Sequence, residues 1–108
     1  MNASRIRELA LAAEKRIRPH IRRTPLEPAA DLSCENDGRA YLKLESMQHT
    51  GSFKVRGALN RLLALNESEA RSGVVTASSG NHGLATAFGM NRLGIDGNTL
   101  IVFMADNG

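Results

Sequence analysis

A chain of 108 residues, 42% apolar and 23% charged, has the composition of one small globular domain, which excludes wholesale disorder. No apolar run approaches the ~20 residues of a membrane-spanning helix, and the N-terminal arginines lack the apolar core of a secretory signal. The net charge is +3, but aromatics are only 4% with no Trp, so nucleic acid and membrane are not the expected partners.

The first predicted helix is capped by Ser4 and runs to about Arg18, where Pro19 ends it. Ile6, Leu9, Ala10, Ala13 and Ile17 recur at spacings of three and four and form one apolar stripe. Residues 1–25 hold seven Arg/Lys against two Glu, while the rest of the chain holds seven basic and nine acidic residues. This uneven charge reads as a solvated helix face or a surface packed against another subunit. Arg22 to Leu26 reads as extended backbone because Pro25 restrains the residue before it. Residues 33–39, with Asn36-Asp37-Gly38, form a turn. The single cysteine, Cys34, has no partner for an internal disulfide, which fits a cytoplasmic protein.

Ala40 to Glu45 alternates as a strand, with Tyr41, Lys43 and Glu45 on one side. After the connector Met47 to Gly51 a helix starts at Ser52 and fades near Asn66. Val55, Ala58, Leu59, Leu62 and Leu63 form its apolar face, expected to dock on a sheet. Glu67 to Ser72 is polar and reads either as a helical turn or as a loop. Gly73 to Ala77 and Asn98 to Met104 are strands around a helix from Asn81 to Leu93. That helix carries Leu84, Ala87, Phe88 and Asn91 or Leu93 on one face, and Gly94 caps its end in the left-handed conformation. Gly83 and Gly89 are expected to let it approach the strands closely. Strand, glycine loop, helix and strand make a βαβ unit, expected to be right-handed. These elements leave much apolar surface uncovered, so the sequence is expected to be the front part of a longer protein.

Two stretches carry chemistry. Thr50-Gly51-Ser52-Phe53-Lys54-Val55-Arg56-Gly57-Ala58 places a lysine in the first turn of a helix, where Ser52 accepts from backbone N–H groups. The positive end of the helix dipole and the nearby Arg56 both disfavour an ammonium there, which suits an amine that attacks a carbonyl. The alternative is a lysine on a solvated helix face. In Ala77-Ser78-Ser79-Gly80-Asn81-His82-Gly83 a loop meets a helix N-terminus, where unpaired N–H groups attract anions. Gly80 and Gly83 do not make a dinucleotide fingerprint, and a P-loop lysine is missing. His20, His49 and Cys34 are too scattered for a metal cluster, so no metal is expected.

Together, Lys43-Leu44-Glu45, Thr50 to Ala58 and Ser78 to Gly83 resemble, in order and separation, the pyridoxal-phosphate (PLP) enzymes of fold type II. The similarity is to the branch of threonine dehydratase, serine dehydratase and serine racemase, and it runs from about Arg23 to the last residue. It implies an α/β fold with a parallel sheet and flanking helices. Residues 1–72 would be the N-terminal part of the larger, PLP-binding domain, and 73–108 the start of the smaller, substrate-clamping domain. Lys54 would form the Schiff base with PLP. Phe53 would lie against the pyridine ring, unless it is a plain core anchor. Asn81 would bond the cofactor's 3′-oxygen, and Ser78, Ser79, Gly80, Asn81 and His82 would grip the substrate carboxylate. Ser79 matches the serine that exchanges a proton on the face opposite the lysine in racemases. His82 is as easily structural.

The implied reaction is β-elimination of water from a hydroxy amino acid such as threonine or serine, giving a keto acid and ammonia. The glycine-rich phosphate loop and the ring-nitrogen partner of the family normally lie beyond residue 108, so the chain alone is expected to be inactive. The Gln that often follows Asn-His-Gly is Leu84 here. The alternatives are a serine or threonine racemase, another PLP β-replacement enzyme, or a non-catalytic fragment that binds a partner. A homo-oligomer acting on small amino acids is the expected working form.

Overall fold

The structure is a computed structural model that describes residues 1–32 and 38–95, and the backbone of 99–103. Cys34 and most of the predicted 33–39 turn lie outside the described residues. Helix α1 (Ala3–Ile17) starts at Asn2, not Ser4: the Asn2 carboxamide oxygen accepts from the Arg5 N–H at 2.9 Å. Asparagine in extended backbone supplies the same acceptor that serine would, two residues earlier. The helix ends where Pro19 enters a 3-10 turn, Arg18–His20. Of its apolar stripe only Ile17 is buried, while Ile6 and Leu9 face solvent.

Strands β1 (Leu26–Pro28) and β2 (Tyr41–Lys43) pair antiparallel, with Leu26 opposite Lys43 and Pro28 opposite Tyr41. The second strand is shorter than the alternation predicts, because Glu45–Met47 turns into a 3-10 helix. A further turn, His49–Gly51, holds Thr50 at φ 64 and Gly51 at φ 75. Glycine reaches this region freely, whereas a β-branched threonine there is strained.

Helix α2 (Lys54–Leu63) begins two residues after the predicted start. It buries Val55, Ala58, Leu59 and Leu62, four of the five residues of the predicted face. Helix α3 (Glu67–Ser72) resolves the open segment. Asn66 accepts from the Glu69 N–H at 2.8 Å while the Glu69 carboxylate accepts from the Asn66 N–H at 3.2 Å, a reciprocal capping box. Strands β3 (Val74–Ser78) and β4 (Thr99–Phe103) then run parallel, Val74 opposite Thr99 through Ser78 opposite Phe103. Helix α4 (Asn81–Leu93) connects them and ends, as expected, on a left-handed Gly94 at φ 68.

The core lies between helices. Ile17, Val55, Ala58, Leu59 and Ala85 form one buried cluster, with Ile21, Leu63 and Phe88 packed around it. So α2 docks on α4 where a sheet was expected. The inward face of α4 is Gly83, Ala85, Thr86, Gly89 and Met90, while Leu84 is 51% exposed. A Cβ on Gly89 would meet Leu62 Cδ1 at 2.6 Å, so this glycine serves the approach of α2 and not of the strands.

Candidate active site

The two motif stretches both run across helix starts. Lys54 is the first residue of α2 and is exposed, and its N–H reaches Ser52 Oγ at 3.4 Å. Phe53 is 59% exposed and so is not part of the core of the described residues, and its ring centroid lies 5.2 Å from Lys54 Nζ. Gly57, one turn beyond the lysine, has open space where a Cβ would stand.

At the second stretch, Ser78 ends β3 and its Oγ accepts from the Gly80 N–H at 3.1 Å, which closes the loop on itself. Ser79, Asn81 and His82 are exposed. Gly80 precedes α4 with no side chain capping the helix among the described residues, so its first N–H groups stay open to an anion. The His82 carbonyl accepts from Thr86 Oγ1 at 2.9 Å. Gly57 and Ala58 of α2 share a cavity of about 500 Å³ with His82 and Thr86 of α4. That cavity extends towards α3 and β3, and of the proposed site residues only His82 lines it. It is therefore distinct from the Lys54 surface.

Sequence reasoning assigned no role to the polar web behind Lys54. Glu45 Oε1 accepts from Arg56 Nε at 2.8 Å, from Arg56 Nη2 at 2.5 Å and from Thr24 Oγ1 at 3.2 Å. Buried Gln48 bridges the Arg22 backbone in both directions, accepting from its N–H and donating to its carbonyl, each at 2.9 Å. Lys43 Nζ donates to the Thr24 carbonyl. Burial alone would raise the Glu45 carboxyl, but the hydrogen bonds and charge of Arg56, with Thr24 and Gln48, outweigh it and hold it below the usual carboxylate value. The sequence alone makes Arg56 a second cation beside Lys54, whereas in the structure its guanidinium is paired with Glu45. His49, on the same turn as Thr50, stacks on Phe88 of α4 with centroids 4.8 Å apart. In the sequence this web shows only as Lys43, Glu45 and Arg56 standing in the motifs with no pairing between them.

An amine on an open first turn, an exposed ring beside it, an exposed amide at Asn81 and uncapped N–H groups are part of the donor set that PLP and an amino acid require, without the phosphate cradle. These residues fit the cofactor. Among the described residues no group of His, Cys, Asp and Glu forms a metal site, and no helix is long and apolar enough to cross a membrane.

Comparison with known proteins gives the same direction. The family model for pyridoxal-phosphate dependent enzymes matches residues 17–107. The chain is 41% identical over 91 residues to a beta-hydroxyaspartate dehydratase of Paracoccus denitrificans, covering 84% of this chain and 29% of that protein. It is 47% identical over 85 residues to a catabolic L-threonine dehydratase of Staphylococcus aureus, covering 78% of this chain and 25% of that protein. The structure superposes on maize serine racemase with a TM-score of 0.78 at 35% identity, over 92% of this chain and 30% of that one. The chain thus spans under a third of the length of each. With both motifs at helix starts and the family match running through them, the chain belongs to the pyridoxal-phosphate dependent enzymes of fold type II, whose cofactor is pyridoxal phosphate.

Proposed function

We propose that this chain supplies the cofactor lysine and the substrate-carboxylate loop of an enzyme that removes water from a hydroxy amino acid such as threonine or serine, giving a keto acid and ammonia. The observation that carries the reading is Lys54 held exposed at the opening turn of α2, beside the exposed ring of Phe53. The dehydratase names of the two relatives support the reaction class.

In this reading Lys54 Nζ binds the cofactor and then serves as the base that takes the substrate's α-proton. Phe53 covers one face of the pyridine ring, and Asn81 donates to the 3′-oxygen without adding charge. The N–H groups and hydroxyls of Ser78, Ser79, Gly80, Asn81 and His82 hold the α-carboxylate, which orients the α-proton towards the lysine. PLP, when bound, supplies the electron sink for the charge left at the α-carbon. Residues 1–72 then belong to the larger domain and 73–108 to the smaller, with the α2–α4 packing as the seam between them. A cytoplasmic homo-oligomer is part of the same proposal.

A second reading, racemisation, draws on the likeness to maize serine racemase and on the exposure of Ser79, whose hydroxyl can return a proton from the other face. Chiral analysis of serine and threonine incubations separates the two reactions. The test of the common reading is to incubate the enzyme with PLP, reduce with borohydride and map the modified peptide. The label is expected on Lys54 and is lost in Lys54→Ala, whose stability stays within about 0.5 kcal/mol because the side chain is exposed. A label on any other lysine, or turnover that survives Lys54→Ala, overturns it.

A further inference from the structure

We propose that Glu45 is a positioning residue for Lys54, acting through its ion pair with Arg56 to fix the first turn of α2 against the segment before β1. The inference rests on the reading of Lys54 as the cofactor amine. Arg56 follows Lys54 by two residues, so their side chains leave the helix about 200° apart. One side of the turn is thereby open, and the other is tied down. The Glu45 and Arg56 side chains are 16% and 27% exposed, so water screens the pair far less than a surface pair. Both Arg56 donors converge on Oε1, and Thr24, itself buried, adds a third bond to the same oxygen.

The tie is continuous with the chain just upstream of the lysine. Gln48 locks Arg22 to the turn before α2, and its Oε1 also accepts from the His49 N–H at 3.1 Å. Between Gln48 and Lys54 the backbone passes through Thr50 and Gly51, both at positive φ. Such a strained turn persists only where its surroundings over-determine it. Glu45 is the group that both ends of the web share, facing Thr24 on one side and Arg56 on the other. Without it, the turn can relax and the helix start can rotate, carrying the amine with it.

The experiment measures how fast the folded enzyme fixes PLP on Lys54 at limiting cofactor, with the absorbance of the bound cofactor as a second readout. Melting of each variant is followed in parallel by circular dichroism. In Glu45→Gln the fixation rate is expected to fall by about tenfold or more, as a misplacement of the reacting atom near 1 Å would cause, and the absorbance band is expected to move. Glu45→Asp, which keeps the charge, recovers part of the rate. A pair that merely stabilised the fold would lower the melting midpoint and leave both readouts of the folded protein unchanged. That result in Glu45→Gln overturns the proposal. Should Glu45→Gln not fold, Arg56→Lys carries the test, since it keeps the charge and loses the second donor. Slower fixation by folded Arg56→Lys supports the proposal, and wild-type fixation overturns it. A wild-type enzyme labelled elsewhere than Lys54 overturns the cofactor reading itself, an outcome distinct from equal labelling of Lys54 in wild type and variant.

Discussion

Burial works against the Glu45 carboxylate and Arg56 works for it, and the balance decides how this region responds to acid. The net effect lowers the folded value below the ordinary 4.5, so near that pH the unfolded chain binds more protons than the folded one. The stabilisation is therefore complete above the unfolded value and is lost as pH falls through the folded value. His49 adds a second window of the same sign. Burial, then the charges of Arg22 and Arg92, lower it from 6.5, so protonation again favours the unfolded chain first. The melting midpoint is expected to decline in two stages on acidification, first below about pH 6.5 and again below about pH 4.5. His49→Gln should flatten the upper stage and Glu45→Gln the lower. A midpoint that rises on acidification across either window, or stages unaltered by these substitutions, would contradict the assignment.

Among the elements, two glycines in helices make opposite demands. At Gly57 a Cβ meets nothing within 4 Å, so Gly57→Ala should stabilise α2 by roughly 0.5–1 kcal/mol from helix propensity. At Gly89 the same methyl would stand 2.6 Å from Leu62 Cδ1, and Leu62 is only 6% exposed, with little room to retreat. Overpacking of this kind costs about 1–3 kcal/mol against a propensity gain of about 1, so Gly89→Ala should be net destabilising. Paired urea midpoints for the two variants check both signs. The same contact explains what could be read in advance. The span of α4 was legible to the residue, because Gly80 and Gly94 bracket an uninterrupted helical run. Its inward face was not, since Leu84, Ala87 and Phe88 suggest one stripe, while the buried residues are Gly83, Ala85, Thr86, Gly89 and Met90, with Gly89 set where Leu62 of α2 comes closest. The two site motifs were legible as fixed spacings of chemistry-bearing residues. The pairing of Glu45 with Arg56 was not, because it joins residues 11 apart across two turns, one of which needs a threonine at positive φ.

At the scale of the molecule, the surface is larger than the mass calls for. A compact monomer of 11.7 kDa exposes about 5,900 Å², whereas this chain exposes 7890 Å². Its radius of gyration is 16.8 Å, where about 13 Å is usual for this length. Among the described residues, Ile6 and Leu11 on α1, Tyr41 and Leu42 on β2, Val75 on β3 and Leu84 on α4 are all more than two-fifths exposed. Val75 is the most telling, at 74%, because strands of a parallel sheet are normally covered on both faces. Burying such residues fully is worth about 1.5–3 kcal/mol each, and the chain by itself forgoes most of that gain. Its own core, built on Leu59, Val55 and Met90, is small by comparison. The 108-residue chain alone should therefore unfold in urea over a broad range, with a slope below about 1 kcal/mol/M, and should bind an apolar dye before unfolding. A steep single transition with no dye binding would show that the α2–α4 core suffices without any further covering surface.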